Sequence, residues 1–128
     1  MAERHDRPRE LVVTALSRAR FAEELGEAAS ARPRGIDLFL GGMLSVVDAM
    51  VGRPMREILD GLAVPAPVRA ALTGEENPVG SVLRVVRAYE QGDWPQLEAA
   101  RTVCPVGEQA LNRAYLRSLE WAEATASV

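Results

Sequence analysis

His5 and Asp6 form the doublet in this sequence that comes nearest to a metal site, because an imidazole beside a carboxylate joins further histidines when two metal ions are held for phosphoester hydrolysis. His5 is the sole histidine, so the shell has no second imidazole. Paired carboxylates are the next chemistry to weigh. Glu23 and Glu27 lie one helical turn apart on a charged face, and Asp37 and Asp48 share a helix face, but three turns separate the two aspartates by about 16 Å, too far for both to act on one bond. Cys104 precedes Pro105 with nothing placed to activate it, and it reads as a small residue near a helix end. All 15 basic residues are arginine, which removes the Schiff-base lysine, the lysine general base and the P-loop lysine. Gly35, Gly41 and Gly42 follow no strand and so form no phosphate loop. The reading is a chain without catalytic, cofactor-binding or metal-binding residues.

The elements that carry these residues are helices. Residues 36–60, IDLFLGGMLSVVDAMVGRPMREILD, are the most apolar stretch and organise the rest. At 100° per residue Asp37, Gly41, Ser45, Asp48 and Gly52 fall in a narrow polar arc, while Leu38, Phe39, Leu40, Met43, Leu44, Val46, Val47, Met50 and Val51 cover the remaining circumference. Such a helix needs neighbours on nearly every side and is expected to be the most buried element, with Asp37 at the helix N-terminus that favours its charge and Asp48 on an exposed stripe or paired with an arginine of the first helix. Each internal glycine costs about 1 kcal/mol against alanine, so Gly41 and Gly42 point to close approach of another helix. Gly52 closes the helix and Pro54 opens the next.

A first helix is expected from Pro8 to about Ala29, with Leu11, Ala15, Ala22 and Leu25 inward and Arg18, Arg20, Glu23, Glu24 and Glu27 on a solvated face; residues 1–7 read as a disordered, charged start. After Pro54, Met55, Ile58, Leu59 and Leu62 turn inward. Pro65 and Pro67 then open a short helix that stops at Gly74. Residues 54–74 invite a helix-turn-helix reading, but Arg69 is the lone basic residue of their second helix, and phosphate contact needs several. Asn77–Pro78 opens a helix that ends at Gly92, and Asp93 to Gln96 forms a capping box. The final helix runs from about Val106 to Ala124 with Leu111, Tyr115, Leu119 and Ala122 inward. Trp94 and Trp121 read as packing residues, since no basic groove accompanies them. The fold class is all-α, a compact bundle of about seven helices around a buried central helix, with residues 8–125 as one domain.

A net charge of -3 argues against broad attraction to nucleic acid or anionic membrane. The single cysteine, with no signal-peptide pattern and no apolar run of membrane length, gives a reducing cytoplasm as the expected location. Arginine without lysine, beside abundant alanine, fits a GC-rich bacterial genome.

Four segments taken in order, VVTALSRARFAEEL at 12–25, DLFLGGMLSVVDAMVGRPMREILDGLAVPAPVRAALTG at 37–74, VLRVVRAYEQGDW at 82–94 and AYLRSLEWA at 114–122, resemble the HDOD family, in the branch joined to EAL domains in bacterial cyclic di-GMP signalling proteins. The resemblance implies an all-helical relative of the HD phosphohydrolases that has lost its metal-binding histidines and serves as a regulatory or scaffolding module. It covers the later part of that domain. Neither the HD metal ligands nor the EAL glutamates have counterparts in this sequence, so no residue is expected to act on cyclic di-GMP, and tight binding of that nucleotide is not expected. The runner-up is a small DNA-associated regulator using residues 54–74. With the earlier helices of the fuller domain missing, apolar surface should be left uncovered, and the expected partners are proteins, whether an EAL or other signalling domain or a second copy in a homodimer. Val12, Leu16, Phe39 and Met43 are the candidate contact residues, with the polar arc of Asp37, Ser45 and Asp48 as the alternative surface.

Overall fold

The computed structural model describes the backbone of residues 2–127 and the side chains of residues 8–47 and 51–127. Seven helices follow one another: α1 (Ala2–Ala28), α2 (Gly35–Val51), α3 (Met55–Asp60), α4 (Ala66–Leu72), α5 (Pro78–Gln91), α6 (Trp94–Val103) and α7 (Glu108–Ala126), with no strand among the described residues. Most boundaries follow from local chemistry. The Asn77 side chain accepts the Gly80 N–H at 2.8 Å and Pro78 occupies the first turn of α5. Gly92 ends that helix at φ 67°, a left-handed conformation that costs a residue with a Cβ. Asp93 caps α6 by accepting the Gln96 N–H at 3.2 Å.

Two boundaries differ from expectation. α1 starts ahead of Pro8, which sits inside the helix. A proline removes one donor and crowds the carbonyl four residues back, so a boundary is the local preference, but good helix formers flank it on both sides. The side chains of residues 1–7 lie outside the described residues. α7 starts at Glu108, and Val106 is buried ahead of it instead of opening it.

α1 is the hub, packed on α2 along one side, on α7 along another and on α5 across the middle. Both long pairs are antiparallel: Arg18 reaches Ser45, whereas Arg9 meets Glu123 and Arg117 approaches Glu24. The close approach anticipated from the double glycine occurs at Gly42. A Cβ built there would lie 2.7 Å from the Arg18 carbonyl oxygen and 2.9 Å from the Ala19 Cα, so α1 backbone occupies the space. Ala15, Ala19 and Ala22 keep α1 slim where its neighbours press on it.

The main core joins Phe21 and Leu25 of α1 to Val82, Val85 and Val86 of α5, Leu97 of α6 and Leu111 of α7; a smaller core of Leu44, Leu59 and Val68 lies between α2, α3 and α4. Phe21, Tyr89 and Tyr115 form an aromatic triangle with ring centroids 4.9 to 5.5 Å apart, tying α1, α5 and α7 together.

α2 and α5 are the most enclosed elements among the described residues. Each buries six of fourteen described residues, although Ile36 and Val51 at the two ends of α2 are 62% and 53% exposed. Each faces four other helices, α2 meeting α1, α3, α4 and α5, and α5 meeting α1, α2, α4 and α6. Leu62 is exposed as well, because α3 ends at Asp60 and its periodicity does not reach that far. On α7 the row turned to α1 is Leu111, Ala114, Ser118 and Ala122, with Tyr115 half-buried. Ser118 is fully buried at no polar cost because its hydroxyl donates to the Ala114 carbonyl at 2.6 Å.

Candidate interaction surface

Of the polar arc of α2, Asp37, Gly41 and Ser45 turn toward the bundle, while Gly52 is exposed. Asp37 is buried in the first turn, where the helix N-terminus favours its charge, and Arg34 approaches it at 3.4 Å. Gly41, one turn on, meets the side chains of Leu83, Val79 and Val68. Ser45 donates to the Gly42 carbonyl at 2.7 Å and accepts from the Arg18 guanidinium at 3.1 Å. Small residues on one row of a helix admit a neighbour more closely than large ones, so this row turned inward and left bulkier residues at the rim. The side chain of Asp48 lies outside the described residues.

Arg18, expected on a solvated face, is the centre of a junction between three helices. Its guanidinium pairs with Glu90 of α5 through Nε at 2.9 Å and through its second terminal nitrogen at 2.8 Å, and it also reaches the Ser45 hydroxyl. The two charged side chains are only 15% and 20% exposed. An arginine spaced like its surface neighbours carries no sequence signal for such a role. Only the arrival of α5 supplies the carboxylate.

Of the apolar candidates, Val12 is 41% exposed and Leu16, Phe39 and Met43 are half-buried. Phe39 meets Trp121 of α7 edge to face at 5.9 Å, and the Arg20 guanidinium lies 5.3 Å from the Trp121 ring centre. α7 thus covers part of the surface anticipated as bare. Gly42 lies opposite Ala19, so the antiparallel pairing of α1 and α2 sets Phe39 some ten residues of α1 away from Val12, about 15 Å along the axis. The four candidates form a stripe rather than one compact patch.

Comparison with known proteins gives two relatives. The chain is 29% identical over 92 residues to the cyclic di-GMP phosphodiesterase CdgJ of Vibrio cholerae, a match that covers 72% of this chain and 21% of that protein. It is 28% identical over 117 residues to YuxH, an uncharacterized protein of Bacillus subtilis, covering 91% of this chain and 28% of the relative. The chain thus spans about a quarter of the length of the curated relatives it matches. No protein-family profile matches it. No solved structure matches it either.

The helix-turn-helix-like segment is closed on itself. Arg69 of α4 donates to the Leu59 carbonyl at 2.9 Å and pairs with Asp60, so the one basic residue of the second helix braces α3 against α4. Among the described residues no three of His, Cys, Asp and Glu gather closely enough to hold a metal ion, and no helix is long and apolar enough to cross a membrane. The side chains of His5 and Asp6 lie outside the described residues. Cys104 is buried, and burial pushes its thiol above the ordinary cysteine range, away from the nucleophilic thiolate. Trp94, read as a packing residue, is instead 60% exposed at the start of α6; Trp121 packs as expected.

Proposed function

We propose that this chain is a non-catalytic, protein-binding module of a bacterial cyclic di-GMP signalling protein, as the HDOD resemblance implies. The observation that carries the reading is the similarity to a cyclic di-GMP phosphodiesterase over most of this chain but a small share of that enzyme. A segment of that kind serves by docking, and the stripe of Val12, Leu16, Phe39 and Met43 is where docking fits best, because apolar side chains remain there at the edge of the bundle. A second copy is the simplest cover, and the compartment is the cytoplasm, where the nucleotide is made and degraded.

Two measurements test this. The chain incubated with cyclic di-GMP and manganese or magnesium should release no linear dinucleotide; turnover would refute the non-catalytic reading. Light scattering after size exclusion should give about twice the 13.9 kDa chain mass, and Val12→Glu should lower it. Val12 is exposed enough for the variant to fold, so a monomeric wild-type chain across a hundredfold concentration range would exclude self-association through this stripe.

A further inference from the structure

Trp94 stands at the mouth of a pocket of about 300 Å³ between the end of α5, α6 and the start of α7. Leu97 and Leu111 are buried beneath it, and Tyr89 and Asn112 line one side, where the phenol donates to the Asn112 side-chain oxygen at 2.7 Å. Among the described residues the Asn112 amide nitrogen donates to no partner. The charged wall holds Glu98, Arg101 and Glu108. Arg101 is committed: it donates to the Val106 carbonyl at 3.0 Å and pairs with Glu98 at 3.0 Å. Glu108 has no arginine partner among the described residues. One cation and two carboxylates leave the wall with one net negative charge.

An exposed indole, an apolar floor and an unpaired carboxylate together ask for a flat cation. Guanidinium stacks on an aromatic face and pairs with a carboxylate through two parallel N–H groups, whereas ammonium is a strongly hydrated point charge that does neither as well. The same fold already uses this chemistry internally, with Arg20 over Trp121. A nucleotide would bring phosphate toward a wall of like charge. We propose that the pocket receives an arginine side chain presented by a protein partner, its guanidinium lying against Trp94 and pairing with Glu108. The proposal rests on the reading of the chain as a protein-binding module and assigns it a second contact, about 20 Å along α7 from Trp121. Exposed tryptophan and desolvated arginine are the residue types that dominate interface energetics.

The test is a titration of the full chain with N-acetyl-L-arginine amide, followed by the NMR resonance of the Trp94 indole N–H, which Trp94→Phe identifies by its loss. A saturable shift is expected, with half-saturation in the millimolar range typical of a single side chain. N-acetyl-L-lysine amide should bind at least about threefold more weakly. Glu108→Gln, a substitution on an exposed residue, should weaken the arginine response by about fivefold, while leaving the spectrum of the folded core in place. An absent or non-saturating response, an equal response to the lysine compound, or indifference to Glu108→Gln would overturn the proposal. So would tighter binding of guanosine monophosphate, which would make the pocket a base site. These outcomes are independent of hydrolysis and of self-association, so the pocket and the module reading fail separately.

Discussion

Replacing Gly42 by alanine should destabilise the protein, while the same replacement at the adjacent Gly41 should not. Both residues lie inside α2, where glycine to alanine gains about 1 kcal/mol of helix propensity. At Gly41 the new methyl would sit 3.4 Å from Leu83 Cδ1 and 3.5 Å from Val79 Cγ1, ordinary contact with side chains that can adjust, so most of that gain survives. At Gly42 it would sit 2.7 Å from the Arg18 carbonyl oxygen, 2.9 Å from the Ala19 Cα and 3.1 Å from the Ala19 nitrogen. Those are backbone atoms of a helix held from the far side by α7 and α5, so relief requires α1 and α2 to separate along their length. Overpacking of this kind costs about 1–3 kcal/mol in a side-chain core and more against backbone, so Gly42→Ala should lose about 2 kcal/mol net of the propensity gain. For a chain of this size that is a fall of roughly 6–10 °C in Tm, against a rise of up to about 4 °C for Gly41→Ala. Thermal melts at 222 nm with urea titrations would measure both. If Gly42→Ala melts at or above the wild-type temperature, the close contact of α1 with α2 is wrong.

A double-mutant cycle on Arg18→Ala and Glu90→Gln, read by urea denaturation, should give a coupling of about 2 kcal/mol, because each variant strands a mostly buried charge; additive losses would show that the junction is not formed. Leu44→Asp should abolish cooperative unfolding, since the carboxylate would face Leu59 and Val68 without a partner, and a normal melt would mean that the second core is misplaced. The Tyr89 phenol is held above its usual pKa of 10.0, first by burial, then by Tyr115 and Glu108. The unfolded phenol therefore ionises first, so stability is complete below about pH 10 and declines as pH rises beyond it. Absorbance titration at 295 nm of Tyr89→Phe against wild type should remove a phenol that ionises above pH 10, and the variant should lose less stability at high pH than wild type does.

Helix identity was legible because its causes are local. Asn77–Pro78, Gly92 and the Asp93 to Gln96 cap act within four residues of chain, and the structure has each of them at its helix end. The double glycine carried a message about close approach that needs no knowledge of the partner, and the absence of lysine removed whole classes of chemistry without reference to fold. Facing was another matter. Periodicity shows that Asp37, Gly41 and Ser45 share a row, but whether such a row meets water or a neighbour depends on which helix arrives. Here α5 brought Val79, Leu83 and Glu90 to it, and with Glu90 a partner for Arg18. The same holds for Trp94 and Trp121, two tryptophans with similar credentials in the sequence: one is covered by Phe39 and Arg20, the other is left at the edge of a pocket whose walls come from helices up to eighteen residues away along the chain. Caps, turns and helical propensity are set by neighbours in sequence, so the chain by itself determined the seven helices. Burial and charge pairing are set by neighbours in space, so only the tertiary structure decided which polar row went inside and which aromatic stayed out.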